Sequence, residues 1–383
     1  MSCKLCSSEK IVELGKVGSK PASVTSDSKL CAVQARAYIC RRCRHIQKFN
    51  HDDGESATIN SVYENYAPHY LSGGNEQLLF PEDQQPRPRT FHVIEKCIKF
   101  LPKTGKLLDI GTGNGAVLKS ASRLLSEWQL HAFDIVDSHR EEVLKIPHVE
   151  SFFCGKIDDI DQAKYDLIVL WHALEHISSP MEILMKLKDK ITDDGYLLVQ
   201  VPDVQRNPFD LAVIDHYSHF TFKRLAEFVR SLGFVIVADG YEWTHNCLTV
   251  LLKKDHPTSE VATAYSCDTE DIKSESCFYW VNETLEYFKC AINNLDYAIF
   301  GTGMASIWLL SQLPRPPLFF IDEDNLKSSN KIDNIQIIGP KDLHRGELNI
   351  IMPFIKPVAA NISGRIKRLY KNCGSYNFVM AEN

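Results

Sequence analysis

The sequence predicts an α/β protein built in three parts, and three observations predict it. Two Cys-x-x-Cys pairs fall within the first 43 residues. From about residue 90, short apolar runs alternate with amphipathic segments, and a second strand, glycine turn and helix follow near residue 300. The length agrees, since 383 residues correspond to two or three domains of roughly 100–200 residues. The expected parts are a cysteine module over 1–60, a parallel-sheet domain over 61–255 and a second α/β domain over 256–383.

Composition narrows the class. The chain is 44% hydrophobic and 24% charged, with net charge −6. An acidic balance argues against gripping long nucleic acid by phosphate neutralisation. No run of 18 apolar residues exists to span a bilayer. The opening MSCKLCSSEK has no apolar signal core, which predicts a cytoplasmic protein.

The cysteine module comes first in the chain. Cys3-Lys-Leu-Cys6 and Cys40-Arg-Arg-Cys43 are separated by 33 residues. Two residues between thiolates let one tight turn aim both sulfurs at one ion, and a second turn closes a tetrahedron with no open position. The expectation is a structural Zn²⁺ on Cys3, Cys6, Cys40 and Cys43, with a redox pair as the alternative. So short and polar a segment builds little core of its own, and zinc, at about 10–16 kcal/mol in finger peptides, supplies folding energy. The other eight cysteines are read as small buried hydrophobes. Residues 1–50 carry net charge +7, and Arg41, Arg42, Arg44 and Lys48 read either as a solvated face or as a patch for a phosphate-bearing ligand.

The central part reads as βαβ units. Thr90 to Leu101 is a helix, Lys106 to Ile110 a strand, and Gly111-Thr-Gly-Asn-Gly115 leads into a second helix. Glycines at 111, 113 and 115 let backbone approach a ligand, while the helix presents unpaired N–H groups. Asp134 ends the next strand and is placed to accept bonds from two ribose hydroxyls. Strands at 148–153, 165–170 and 195–201 follow, with Trp171, His172 and His176 just beyond the fourth. The segment 202–221 reads as a loop over the rim, and it holds Asp215, His216 and His219. The aromatic-rich stretch 61–74 is either a packed linker or a lid.

Asp109-Ile-Gly-Thr-Gly-Asn-Gly115, Asp134 and Trp171-His-Ala-Leu-Glu-His176 resemble the class I S-adenosylmethionine-dependent methyltransferases, with a dinucleotide-type fold as the alternative. The resemblance implies that Asp109, Gly111, Gly113 and Gly115 border the methionine moiety. It places Asp134 on the ribose, Ile157 and Asp158 on the adenine, and Trp171 among the residues around the donor. Lys156 stands where many relatives carry an acidic residue.

The last part repeats the pattern, with Asp296 to Phe300, Gly301-Thr-Gly303-Met-Ala-Ser306, and a strand ending at Asp322. A four-cysteine zinc module, a class I methyltransferase domain and a C-terminal Rossmann-like domain together resemble the sugar C-methyltransferases, which act on nucleotide-linked keto-deoxysugars. That family carries Tyr-His-Glu-His after its fifth strand, and its last His is the proposed base. Aligned through Ser218, His219 and Phe220, the Glu falls on Asp215 and the base on His216, while Val213 and Ile214 replace the first two residues. By the same resemblance His176 and Tyr70 hold the substrate oxygen, Asp215 orients the base, and the partner is a nucleotide sugar. Two alternatives stay open: O-methylation of a sugar or other hydroxylated metabolite, and a non-catalytic zinc-ribbon binding protein.

Overall fold

The computed structural model describes residues 1–50, 53–64, 66–67, 70–72, 74–76, 78–79, 87–244, 246–255, 272–293, 295–328, 330–343, 348–370 and 376–381. The first part carries β1 (Ile11–Lys16), β2 (Ser23–Val24), β3 (Leu30–Cys31), β4 (Arg36–Cys40) and β5 (Ile46–Gln47), then α1 (Asp53–Glu64). The short strands β6 (Leu78–Leu79) and β7 (Arg87–Pro88) and helix α2 (Arg89–Cys97) lead into the central sheet.

That sheet begins with β8 (Gly105–Ile110), α3 (Ala116–Leu124), β9 (Trp128–Asp134), α4 (Arg140–Val143) and β10 (Val149–Cys154). It continues through β11 (Tyr165–Trp171), α5 (Pro180–Lys190) and β12 (Ile191–Pro202). The short β13 (Ser218–His219) and α6 (Phe222–Ser231) precede β14 (Phe234–Asp239) and β15 (Cys247–Lys254). The strand order is β10-β9-β8-β11-β12-β15-β14, parallel up to β12, with β15 antiparallel to both of its neighbours.

Side-chain alternation explains the two helical layers. Leu107, Leu167 and Val169 face one way and share a core with Val93, Ile94, Val117 and Leu118 of α2 and α3. Leu108, Ile168 and Leu170 face the other way, against Leu184 and Leu187 of α5 and Leu225, Phe228 and Val229 of α6. A sheet covered on both faces needs strands apolar at every position, which is why KLLDI and YDLIVLW read as continuous runs.

The third part is α7 (Ile272–Ala291), β16 (Tyr297–Phe300), α8 (Met304–Gln312), β17 (Phe320–Ile321), β18 (Lys331–Ile332), β19 (Ile335–Ile338), β20 (Asn349–Met352), α9 (Lys356–Leu369) and β21 (Asn377–Met380). Its sheet runs β18-β19-β17-β16-β20-β21, parallel except at β18.

The N-terminal segment is less self-contained than its sequence suggests. Its sheet, β1-β4-β5-β13, takes its last strand from the central part, with Ser218 opposite Gln47 and His219 opposite Ile46. Val17, Val24, Ala37 and Ile39 are buried in one cluster with Phe209 and Leu211, Phe278 and Phe288 of α7, and Trp308 of α8. The Gln312 side chain acts like a strand edge: Oε1 accepts from Ser19 and Lys20 N–H at 3.0 and 2.9 Å, and Nε2 donates to Ala22 O at 3.2 Å. No helix among the described residues is long and apolar enough to cross a membrane.

Candidate active site

The donor-side rim forms where β8, β9 and β11 end together. Gly111 and Thr112 N–H both donate to Phe133 O, at 2.9 and 3.1 Å, so the turn closes over the next strand. Gly111 and Gly115 hold φ of +75° and +78°, and a Cβ at Gly115 would stand 2.6 Å from Ile146 Cδ1. Only glycine takes this path cheaply. Asp134 Oδ2 accepts from Gly113 N–H at 2.8 Å, which ties the carboxylate to the turn.

Asp109 is buried beneath the turn. Thr112 Oγ1 donates to its Oδ2 at 2.8 Å, while Oδ1 has no hydrogen-bond partner among the described residues. Burial pushes the Asp109 carboxyl up to about 7, against the Thr112 bond. An orphaned acceptor under a turn of positive-φ glycines fits a ligand that brings its own donors or positive charge. Ile157 is buried at the edge of this rim, whereas Asp158 is exposed and paired with Lys186 Nζ at 2.8 Å. Trp171 lies under the Arg89 guanidinium at 5.6 Å.

A cluster of histidines and carboxylates stands across the same rim. His216 Nδ1 and His219 Nδ1 donate to the two oxygens of Asp210, at 2.7 and 2.6 Å. Burial alone would raise the Asp210 carboxyl, but the two imidazoles hold it well below the usual carboxylate range. His176 Nδ1 lies 3.3 Å from Asp215 Oδ2 and 3.0 Å from Asp215 O. Asp215 also accepts from Ser26 N–H at 2.9 Å and Ser26 Oγ at 2.5 Å. The His176 and His216 rings meet edge to face at 4.6 Å, and Tyr63 Oη stands 3.2 Å from His176 Nδ1.

Here the structure corrects one role. Asp215, expected on His216, holds His176, and the carboxylate on His216 is Asp210. Asp210 sits in Pro208–Ala212, a buried 3-10 turn whose apolar neighbours Phe209 and Leu211 fix it from both sides. A lone Asp inside the apolar run PFDLAVI is the signal that could have found it, because a buried carboxylate needs partners. Tyr63 was missed as an individual residue within the 61–74 stretch. Tyr70 lies in the turn Tyr70–Ser72, and its side chain falls outside what is described. The segment 202–221 is a buried, strand-paired element more than a loose overhang.

The four thiols of the first part converge. Cys3 and Cys43 Sγ are 3.5 Å apart, Cys6 and Cys40 3.7 Å, and all four lie within 4.8 Å of one another. A tetrahedron with metal–sulfur bonds of about 2.3 Å has edges near 3.8 Å, so the set fits zinc. The two knuckles match in detail. Ser7 N–H donates to Cys3 O at 2.9 Å and Arg44 N–H to Cys40 O at 2.8 Å, with Ser7 and Arg44 at φ of +55° and +61°. The neighbouring basic cluster is not one open patch: Arg41 and Arg44 pair with Glu275 of α7, and Lys48 is buried. Among the eight remaining cysteines, Cys290 is exposed, against expectation, and Cys267 and Cys373 lie outside the described residues.

No curated protein matches the chain. Among solved structures, a dimethyltransferase acting on 8-amino-8-demethyl-D-riboflavin from Streptomyces davawensis is 17% identical, over 39% of this chain and 49% of its own, at TM-score 0.34. The chain thus spans about half the length of that protein. An S-adenosylmethionine-dependent methyltransferase from Clostridium acetobutylicum is 11% identical over 53% of this chain and 99% of its own, at TM-score 0.37. Mitomycin 7-O-methyltransferase is 13% identical over 43% and 53%, at TM-score 0.36. Residues 83–239, which hold the glycine turn, Asp134 and the whole histidine cluster, match the family described as "Methyltransferase domain", so the chain carries a methyltransferase domain.

Proposed function

We propose that the chain transfers a methyl group from S-adenosylmethionine to a carbon beside the carbonyl of a nucleotide-linked keto-deoxysugar. The observation that carries this reading is the pairing of His216 Nδ1 with Asp210 at 2.7 Å, next to His176 and on the rim of the glycine turn. Asp109, Gly111, Gly113 and Asp134 would hold the donor, which supplies an electrophilic methyl on a cationic sulfur. The protein then has to orient and deprotonate the acceptor. Asp210 accepts the Nδ1 proton of His216 and so leaves Nε2 bare, the nitrogen that takes a proton from the acceptor carbon. His176, fixed by Asp215, stands beside it to meet the oxygen on which charge develops. Tyr70 is assigned to that same oxygen by resemblance. Zn²⁺ on Cys3, Cys6, Cys40 and Cys43 is structural in this reading, because four thiolates leave no open position.

The test is proton exchange. In D₂O with S-adenosylhomocysteine in place of the donor, the native chain should exchange the α-proton of a keto-sugar, and His216→Ala should not. Equal exchange by the variant removes His216 as the base.

A second reading, O-methylation, has its own observation. Val213 and Ile214, which replace the Tyr-His of the resembling family, are buried in the apolar core. Half of that family's loop chemistry is thus absent, and a hydroxyl acceptor would need only the one His. Mass-spectrometric location of the new methyl on carbon or oxygen separates the two.

A further inference from the structure

A second titratable line lies beside this centre and takes no part in the reaction above. Cys247 opens β15 opposite Pro202 of β12, so its side chain belongs to the rim. Its Sγ is 3.6 Å from His172 Nε2 and 3.6 Å from Arg89 Nη1. His172 Nδ1 is 3.1 Å from Glu175 Oε1. Sulfur, imidazole and carboxylate therefore stand in series, with a guanidinium on the sulfur from another side. Arg89 is itself 3.9 Å from Glu76, and its guanidinium lies over the Trp171 ring at 5.6 Å. Glu175 is fully buried, and its Oε2 has no hydrogen-bond partner among the described residues. His172 sits at φ +50°, a conformation that costs a non-glycine residue about 1–2 kcal/mol and that clusters at working sites.

A thiol facing an imidazole and a guanidinium loses its proton to the imidazole when a carboxylate backs the ring. Burial opposes this for both partners. Even so, His172 and Arg89 draw the Cys247 thiol below its ordinary value, and the sulfur and Glu175 raise His172 to about 9. Cys247 is 3% exposed, which admits only a very small reagent.

We propose that Cys247 is an activated thiolate and a modification site for hydrogen peroxide. In the step, the sulfur bonds to one peroxide oxygen and the O–O bond breaks. The leaving hydroxide takes the proton of the His172 imidazolium and departs as water. Cys247 becomes a sulfenic acid, oxidised by two electrons as the peroxide is reduced. The added oxygen would stand beside His172 on the same strand-end rim, so methyl transfer should fall. That consequence alone rests on the function proposed above.

The experiment treats the folded, zinc-loaded full chain with hydrogen peroxide, removes the peroxide with catalase, unfolds the chain in dimedone so that every sulfenic acid is reached, and maps the label by mass spectrometry. Cys247 should label ahead of exposed Cys290, at a rate nearly constant from pH 6 to 8. An ordinary thiol near 8.5 is about 1% ionised at pH 6.5 and slows about tenfold per unit below that pKa. His172→Gln should therefore cut Cys247 labelling about 50- to 100-fold at pH 6.5, and Cys247→Ser should keep methyl transfer after peroxide. Labelling of Cys290 first, a native rate that falls tenfold per pH unit, or an unchanged rate in His172→Gln would overturn the proposal. Labelling needs no acceptor, so its failure is distinguishable from failure of the methyl-transfer reading.

Discussion

Replacing Asp210 with Asn tests the acceptor side most directly. The carboxylate accepts from two imidazoles at 2.7 and 2.6 Å and is 1% exposed. An amide of the same shape offers one acceptor and one donor, so only one of the two rings can keep its Nδ1 proton. If the amide nitrogen faces His216, that ring must take the other tautomer, with its proton on Nε2, and it can no longer accept one from substrate. A base in the wrong tautomer forfeits the contribution of general-base catalysis, about 10²–10⁴ in kcat. The two charge-assisted bonds are each worth about 1.5–3 kcal/mol, and the amide retains part of that, so the fold should survive with a lowered Tm. The assay is single-turnover methyl transfer beside calorimetric binding of S-adenosylhomocysteine. The expectation is a loss of at least about 100-fold in rate with donor-site affinity within about threefold of native. Asp210→Leu, which leaves neither ring an acceptor, removes the choice of amide orientation: near-native turnover by both variants refutes the reasoning, and Asp215→Asn as the more damaging change would return the orienting role to Asp215.

Three further outcomes follow from the structure. Elemental analysis should give one zinc per chain, lost in Cys40→Ser, and the zinc-free chain should lose methyl transfer before donor binding, because β5 holds β13 and with it His219. Asp109 sits at about 7, so it ionises as pH rises through 7 and protonates below it. Affinity for the ammonium-bearing S-adenosylhomocysteine should weaken about tenfold from pH 8 to pH 6 by calorimetry, and a flat profile would remove Asp109 from that contact. Gly115→Ala forces a side chain to φ +78° and toward Ile146, so chemical denaturation should show about 1–2 kcal/mol of lost stability.

Local features were legible in the sequence and distant ones were not. KLLDI, the glycine turn and Asp134 are contiguous signals, and a two-sided parallel strand must look apolar throughout. The Cys-x-x-Cys pairs carry their own turn geometry, visible in the matched knuckles at Ser7 and Arg44. The edge strand Phe234–Asp239 alternates buried and exposed residues and went unrecognised beside the stronger run that follows it. The pairing of β13 with β5 joins residues more than 170 positions apart, and no local pattern announces it. Asp210 went unassigned in the sequence because its partners, His216 and His219, come back onto it only in the fold. The Cys247 line draws on α2, the end of β11 and the start of β15, so it exists only in three dimensions.

The clasp of Gln312 on Ser19, Lys20 and Ala22 has a consequence for the order of events at the ribosome. Both knuckles are synthesised once residue 43 is made, yet the apolar floor of the strands between them, on α7 and α8, comes from residues 272–312. At about 5–20 residues per second, the nascent metal module waits roughly 13–55 s for its bed. During that interval the segment has its ion and its few paired strands in place of that bed, and a cell short of zinc would leave it more open to proteases before the rest of the polypeptide arrives.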